Sequence, residues 1–141
     1  MLLVYSLHLK SNLSNSEEQT QLNYRLREES IRQLLAHVEQ MENVVFEGRV
    51  SGVVIGGDFN TNHDGQFGDR TIAMMVEAGY DHTWDGVARE DRLTWRGSNR
   101  FEPTTFDHFF TKGIEKTQAR MLTVSDESSD HWPVEIEIRI P

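Results

Sequence analysis

Asp58 and Asn60 stand two residues apart at the end of the run Val53-Val54-Ile55-Gly56-Gly57. If the strand continues through them, both side chains point to the same side of a sheet. Such a pair can accept a proton, bond a water, offer a carbonyl oxygen or help to ligate a hard cation. An Asx-rich turn that merely ends the strand would use the same residues. Asp130 and His131 are adjacent in Ser129-Asp130-His131-Trp132-Pro133. Imidazole is the side chain best suited to proton transfer near neutral pH, although a turn histidine would look the same. A catalytic imidazole needs a partner that holds its tautomer. Asp107, inside Phe106-Asp107-His108-Phe109-Phe110, is the candidate. A carboxylate in so apolar a run must be hydrogen-bonded or face water at a strand edge. His8, in Ser6-Leu7-His8-Leu9-Lys10-Ser11-Asn12, reads on its own as a core histidine of a strand. The chain has no cysteine, so any metal must sit on oxygen or imidazole.

These residues need elements to position them. Leu2 to Leu9 reads as a short apolar strand. Ser16 with Gln19 three residues on resembles a capping box, with Glu17 and Glu18 in the favoured first turn. Leu22, Leu26, Ile31, Leu34, Leu35, Val38 and Met41 then keep near-helical spacing to one side. The pattern predicts an amphipathic helix of about 22 to 25 residues. Arg25, Arg27 and Arg32 fall on its expected solvated face, with Glu28 and Arg32 at the i,i+4 pairing distance. Val53-Val54-Ile55 reads as a strand buried on both faces. A polar loop from Asp58 to Gly68 leads to Asp69, a candidate cap for a second helix over 70–78 that Gly79 would end. Strands are expected over 93–96, 105–111 and 119–124. The last strand alternates Val134, Ile136, Ile138 and Ile140 with polar residues. The order implies an α/β fold with mixed pairing, in one domain over 1–141. No internal repeat, low-complexity tract or linker is visible.

A chain of 141 residues is one domain's worth. A domain of this size buries about 68–70% of its unfolded surface. Its hydrophobic fraction of 37% is low for a self-sufficient globule, which fits a fragment or a surface finished by a partner. The net charge of −9 counts against tight, sequence-independent nucleic-acid binding, which rests on a basic footprint. It leaves room for a small phosphate ester, or for a site whose metal ions supply the positive charge. MLLVYSLHLK lacks the features of a signal peptide, and no stretch is long enough to span a bilayer. A cytoplasmic protein is the default expectation.

Taken together, His8-Leu9-Lys10-Ser11, Gly57-Asp58-Phe59-Asn60, Thr105-Phe106-Asp107-His108 and Ser129-Asp130-His131 resemble the later motifs of the endonuclease/exonuclease/phosphatase superfamily. That family includes deoxyribonuclease-like nucleases, apurinic endonucleases, inositol polyphosphate 5-phosphatases and sphingomyelinases. The match runs from His8 to the end of the chain. The resemblance implies a metal-dependent phosphoesterase acting on a phosphate-ester substrate. His131 would take a proton from the attacking water, oriented by Asp107. Asp58 would position that water or hold the metal environment. Asn60 would contact the scissile phosphate. His8 would donate to a phosphate oxygen whose charge grows in the transition state. Asp130 and Asp58 would support a Mg²⁺ or Mn²⁺ ion.

The chain departs from the family pattern at its start. The half that would supply an early Asn and the principal metal-binding Glu does not precede His8. The resemblance therefore implies half of a two-layered-sheet α/β/β/α sandwich, with one apolar sheet face in need of a cover. A fragment, a complementing N-terminal half supplied by a partner, or a homodimer would each account for this. A catalytically inactive interaction domain that keeps the family shape is the main alternative function. Asn60-Thr61-Asn62-His63-Asp64-Gly65 also resembles the start of a calcium-binding loop, although its twelfth position would be Thr71. Trp84, Trp95 and Trp132 read as core and turn packing rather than a base-stacking set. Arg96 and Arg100, in the segment Thr94 to Phe101, could meet phosphate or lie in a solvated loop.

Overall fold

The computed structural model of the chain describes residues 1–65, 68–116, 118–125 and 128–139. A mixed four-stranded sheet carries two helices on one face. In chain order the elements are β1 (Leu2–His8), α1 (Glu17–Gln40), β2 (Gly52–Asp58), α2 (Thr71–Glu77), β3 (Asp81–His82), β4 (Asp107–Lys112) and four two-residue strands. Those are β5 (Glu115–Lys116), β6 (Arg120–Met121), β7 (Val134–Glu135) and β8 (Ile138–Arg139). The sheet order is β1-β2-β4-β3. β1 runs parallel to β2, whereas β4 is antiparallel to both β2 and β3. The α/β class with mixed pairing is as the sequence predicts.

Helix α1 starts where its cap chemistry says. Ser16 sits in extended backbone, and its hydroxyl accepts from the Gln19 amide at 3.1 Å. The return half of the capping box does not form, because the Gln19 side chain bonds Asn23 instead. The helix ends in a wider turn over Met41–Val45. Its C-terminal half buries Ile31 and Val38 as the spacing predicts, against Leu3, Val53, Ile55 and Phe110 of the sheet. Burial of each such side chain contributes about 1.5–3 kcal/mol.

The N-terminal half of α1 corrects the sequence reading. Leu22 and Leu26 are exposed, and Asn23 and Arg27 point inward instead. The physical reason is a prepared partner. The fully buried Arg27 guanidinium meets the equally buried Asp69 carboxylate at 2.5 Å and donates to the Lys10 carbonyl at 3.0 Å. Arg32 pairs with Glu29 rather than Glu28, and Glu28 accepts from the Arg70 backbone amide.

Asp69 also accepts the Thr71 backbone amide at the start of α2, so it acts as helix partner and buried counter-charge together. Gly79 ends α2 with φ +85°, a conformation that suits glycine. The strand expected over 93–96 reduces to bridges from Trp95 to Thr104 and to His131. The expected strand over 119–124 shortens to β6. The expected final strand is split into β7 and β8, which pair separately with β6 and β5. Ile140 lies outside the described residues. No helix among the described residues is long and apolar enough to cross a membrane.

Alternation along the strands separates two chemistries. Leu3, Val53, Ile55 and Phe110 pack under the helices. Opposite them, Val4, Val54 and Thr111 form one row of the second face, and His8, Asp58 and Asp107 another. Val54 and Thr111 on that face are buried, whereas Val4 on the edge strand β1 is 68% exposed.

Candidate functional site

The strand register brings three of the expected residues into one line. His8 pairs with Asp58 across β1 and β2, and Asp58 pairs with Asp107 across β2 and β4. Directly opposed residues project to the same face of a sheet, so the three side chains stand side by side. The row lies at the carboxyl ends of β1 and β2, where α/β sheets place their ligands. Gly57 permits the approach of the two strands. Its φ is +138°, and a Cβ there would lie 2.1 Å from the Leu7 carbonyl oxygen.

His131 completes the group from the far end of the chain. Its Nδ1 lies 2.6 Å from Asp107 Oδ2, and its Nε2 lies 4.0 Å from Asp58 Oδ2. Asp107 is itself held firmly. Its amide donates to Thr94 Oγ1 at 3.0 Å, and its carbonyl accepts the Trp84 indole at 2.8 Å. Backbone bonds from Arg96 to Asp130 and from Trp132 to Thr94 fix the segment that carries His131. The His131 amide also bonds Ser129 Oγ. Neither Thr94 nor Trp84 carries a signal in the sequence that marks it as a brace. Both are fully buried, and Trp84 is a core residue as expected.

The electrostatics follow from this packing. The Asp107 hydrogen bond raises the His131 pKa above 6.5, against the opposing effect of burial; the charges of Asp107, Asp58 and Asp130 add to the rise. Burial raises the Asp58 carboxyl, and neighbouring Asp107 raises it further, while the Asn60 amide at 2.8 Å pulls it down. His8 is 78% exposed at the side chain, with Nε2 3.7 Å from Asp58 Oδ2, so it is not a core histidine.

Asn60 is tied into the neighbouring backbone. It is buried with φ +50°, a left-handed conformation that asparagine tolerates. Its side-chain amide donates to the Leu9 carbonyl at 3.1 Å, and its own carbonyl accepts from Asn12. It therefore ties the end of β1 to the loop after β2. Asp130 is exposed, and its Oδ2 accepts the Trp95 indole at 2.9 Å, which lowers its pKa. Arg96 stacks its guanidinium 3.8 Å over the Trp132 ring. The calcium-loop reading meets an obstacle: besides Asn60, Asp64 is engaged by Arg92 at 2.8 Å.

A second polar cluster lies on the other face of the sheet. His108 follows Asp107 on β4 and so points toward the helices. Its Nε2 meets the Thr61 carbonyl at 2.9 Å, and its Nδ1 meets His82 Nε2 at 3.0 Å. Burial pushes His82 down to about 2 and His108 down to about 4, so both rings are neutral. His63 and Asp85 adjoin them. Among the described residues, His63, His82 and Asp85 are a group whose three ligand atoms all lie within 4.8 Å of one another. A surface cleft of 690 Å³, lined by Arg32, Glu42, Tyr80 and Lys112 among others, contains none of the residues of either cluster.

Solved structures share this arrangement of elements. A humanized D. rerio TDP2 aligns with 99% of the chain and 55% of its own length, at TM-score 0.63 and 17% identity. A Bacteroides thetaiotaomicron mannosyl-6-phosphatase aligns over 82% of the chain and 46% of its own, at TM-score 0.58 and 17% identity. An endonuclease/exonuclease/phosphatase family protein from the same species gives 81%, 45%, 0.56 and 16% in the same order. The chain thus spans about half the length of these structures. No protein-family model matches the sequence, and no curated protein does. The chain has the α/β fold of the endonuclease/exonuclease/phosphatase family.

Proposed function

We propose that the chain carries the water-activating part of a phosphoester-hydrolysing site. The observation that supports this best is the line of His8, Asp58 and Asp107 across three paired strands, with His131 docked on Asp107. His131 Nδ1–H donates to the Asp107 carboxylate, which leaves the Nε2 lone pair facing Asp58 Oδ2. Their 4.0 Å separation suits a bridging water that makes two hydrogen bonds of about 2.8 Å. As the water oxygen bonds to phosphorus, its proton passes to His131 Nε2. The ester P–O bond breaks, and its electron pair leaves with the departing oxygen. The imidazolium formed is stabilised by Asp107, which also explains why the resting ring titrates high. Exposed His8 is placed to donate to a phosphate oxygen beside Asp58. Asn60 acts mainly as a brace through Leu9, and a phosphate would reach only its second amide hydrogen.

The chemistry of Asp58 suits a magnesium-class ion. A carboxyl raised by burial and by a second carboxylate, as Asp58 is, gains from a neighbouring cation. Asp58 would hold Mg²⁺ or Mn²⁺, with water and phosphate oxygens completing the shell, and Asp130 is the further oxygen donor that the family resemblance implies. Such an ion supplies charge neutralisation on the phosphate. The test is hydrolysis of bis-p-nitrophenyl phosphate with Mg²⁺ or Mn²⁺, comparing the chain with His131→Ala. Activity lost in the variant supports the reading. Background rates for both would leave the inactive interaction domain as the better description.

A further inference from the structure

The cluster on the helix-side face has a proton arrangement fixed by its hydrogen bonds. The Thr61 carbonyl can only accept, so His108 Nε2 must carry the proton that lies between them. Both rings are buried, which favours uncharged imidazole, so His108 has its lone pair on Nδ1 and His82 Nε2 donates to it. That leaves His82 with a lone pair on Nδ1. This atom lies 3.7 Å from Asp85 Oδ1, beyond hydrogen-bond range, with no proton between two acceptors.

His63 reaches the same state by a separate route. Its Nδ1 lies 3.1 Å from the Asp64 carboxylate, which holds the proton there. Its Nε2 is buried, has no hydrogen-bond partner among the described residues and lies 3.7 Å from Asp85 Oδ1. Two imidazole lone pairs and a carboxylate oxygen therefore converge with no hydrogen to reconcile them. A cation would satisfy all three. Two nitrogens and one oxygen suit zinc, and three protein ligands leave a fourth position for water. Both histidines already have the outer hydrogen bonds that metal-bound imidazoles make: His63 to Asp64, and His82 through His108 to Thr61.

We infer that His63, His82 and Asp85 form a binding site for one Zn²⁺-class divalent ion, separate from the His131 group. Ligand atoms around tetrahedral zinc lie about 3.3 Å apart, so the 3.7 Å contacts close by a few tenths of an ångström. The His63 and His82 rings stack with planes 23° apart, so His63 must turn for both lone pairs to meet one ion. The room for this exists: His63 and Asp85 side chains are 20% and 69% exposed, whereas His82 at 2% is locked. The bound ion would clip the loop after Asp58 to the turn after β3.

Equilibrium dialysis and calorimetry with Zn²⁺ test the site, with Co²⁺ absorption as a probe of tetrahedral geometry. The chain should bind one Zn²⁺ with excess Mg²⁺ present. Asp85→Asn and His63→Ala alter an exposed and a partly buried residue outside the core and should fold. Each should weaken Zn²⁺ by about tenfold or more, and Asp64→Asn by about 10–100-fold. His131→Ala should leave zinc affinity unchanged. The inference is overturned if the chain binds no Zn²⁺. It is equally overturned if Asp85→Asn and His63→Ala bind as the parent does, or if His131→Ala is the variant that abolishes binding.

Discussion

Replacing Arg27 with methionine removes one half of an ion pair whose side chains are both fully buried. Nε and Nη2 reach Asp69 Oδ2 at 3.1 and 2.5 Å, and Nη1 reaches the Lys10 carbonyl at 3.0 Å. Methionine fills similar volume, so cavity formation is a minor part of the cost. The main loss is the counter-charge of Asp69, which among the described residues keeps the Thr61 hydroxyl and the Thr71 amide as donors. Breaking a buried pair from one side costs about 3–5 kcal/mol. For a chain of this size, at about 3 °C per kcal/mol, the midpoint should fall by roughly 10–15 °C. Asp69→Asn keeps acceptors for Thr61 and Thr71 but leaves the guanidinium without its partner charge. The double variant leaves no charge buried, so it should be less damaging than the sum of the singles. The coupling energy should be about 2–3 kcal/mol. Urea unfolding followed by fluorescence of buried Trp84 measures each corner, provided the denaturant slope stays constant. An Arg27→Met cost below about 1 kcal/mol, with an additive double variant, would refute this account, because that is how an exposed pair behaves.

Three other outcomes follow from the site. Asp107→Asn should lower phosphodiester hydrolysis about 10²–10⁴-fold, because an amide N–H bonded to Nδ1 forces the proton onto Nε2. In the parent chain the His131 pKa is raised on folding, so its contribution to stability is complete below the unfolded value of 6.5. It is lost as pH rises through the folded value, and Asp107→Asn should flatten that slope in thermal melts across pH 5–9, since the largest cause of the rise is removed. Asp58→Asn should abolish hydrolysis yet raise stability at neutral pH by about 0.5–2 kcal/mol. The sign follows from the raised folded pKa: ionised Asp58 is unfavourable in the native state, and the amide still accepts the Asn60 N–H. Equal or lower stability by urea titration would count against the assignment of burial as the cause. Gly57→Ala should cost about 2–4 kcal/mol, since its Cβ meets the Leu7 backbone and its φ is positive; a melting midpoint within error of the parent would show the strands can part there at no cost.

The sequence by itself determined the main local elements, from β1 and α1 to the buried strand β2. Ser16 marks the start of α1 because a hydroxyl must satisfy a free helix amide, and that need is local. Val53-Val54-Ile55 reads as a buried strand because three successive apolar residues leave no polar face. His8, Asp58, Asp107 and His131 were legible as a set only through the family motifs that carry them, since His8 on its own reads as a core histidine. The tertiary structure decided which side of α1 faces inward. Helical spacing gives a stripe, but the buried Asp69 carboxylate draws Arg27 in and turns Leu22 and Leu26 outward. It also decided the register that aligns His8, Asp58 and Asp107, and the bonds from Thr94 and Trp84 that hold Asp107. The His63, His82 and Asp85 group was wholly its work. Strand alternation sends Asp107 and His108 to opposite faces, so adjacent residues join different clusters. Which lone pairs then remain depends on a carbonyl 47 residues from His108, a relation that only the folded chain creates.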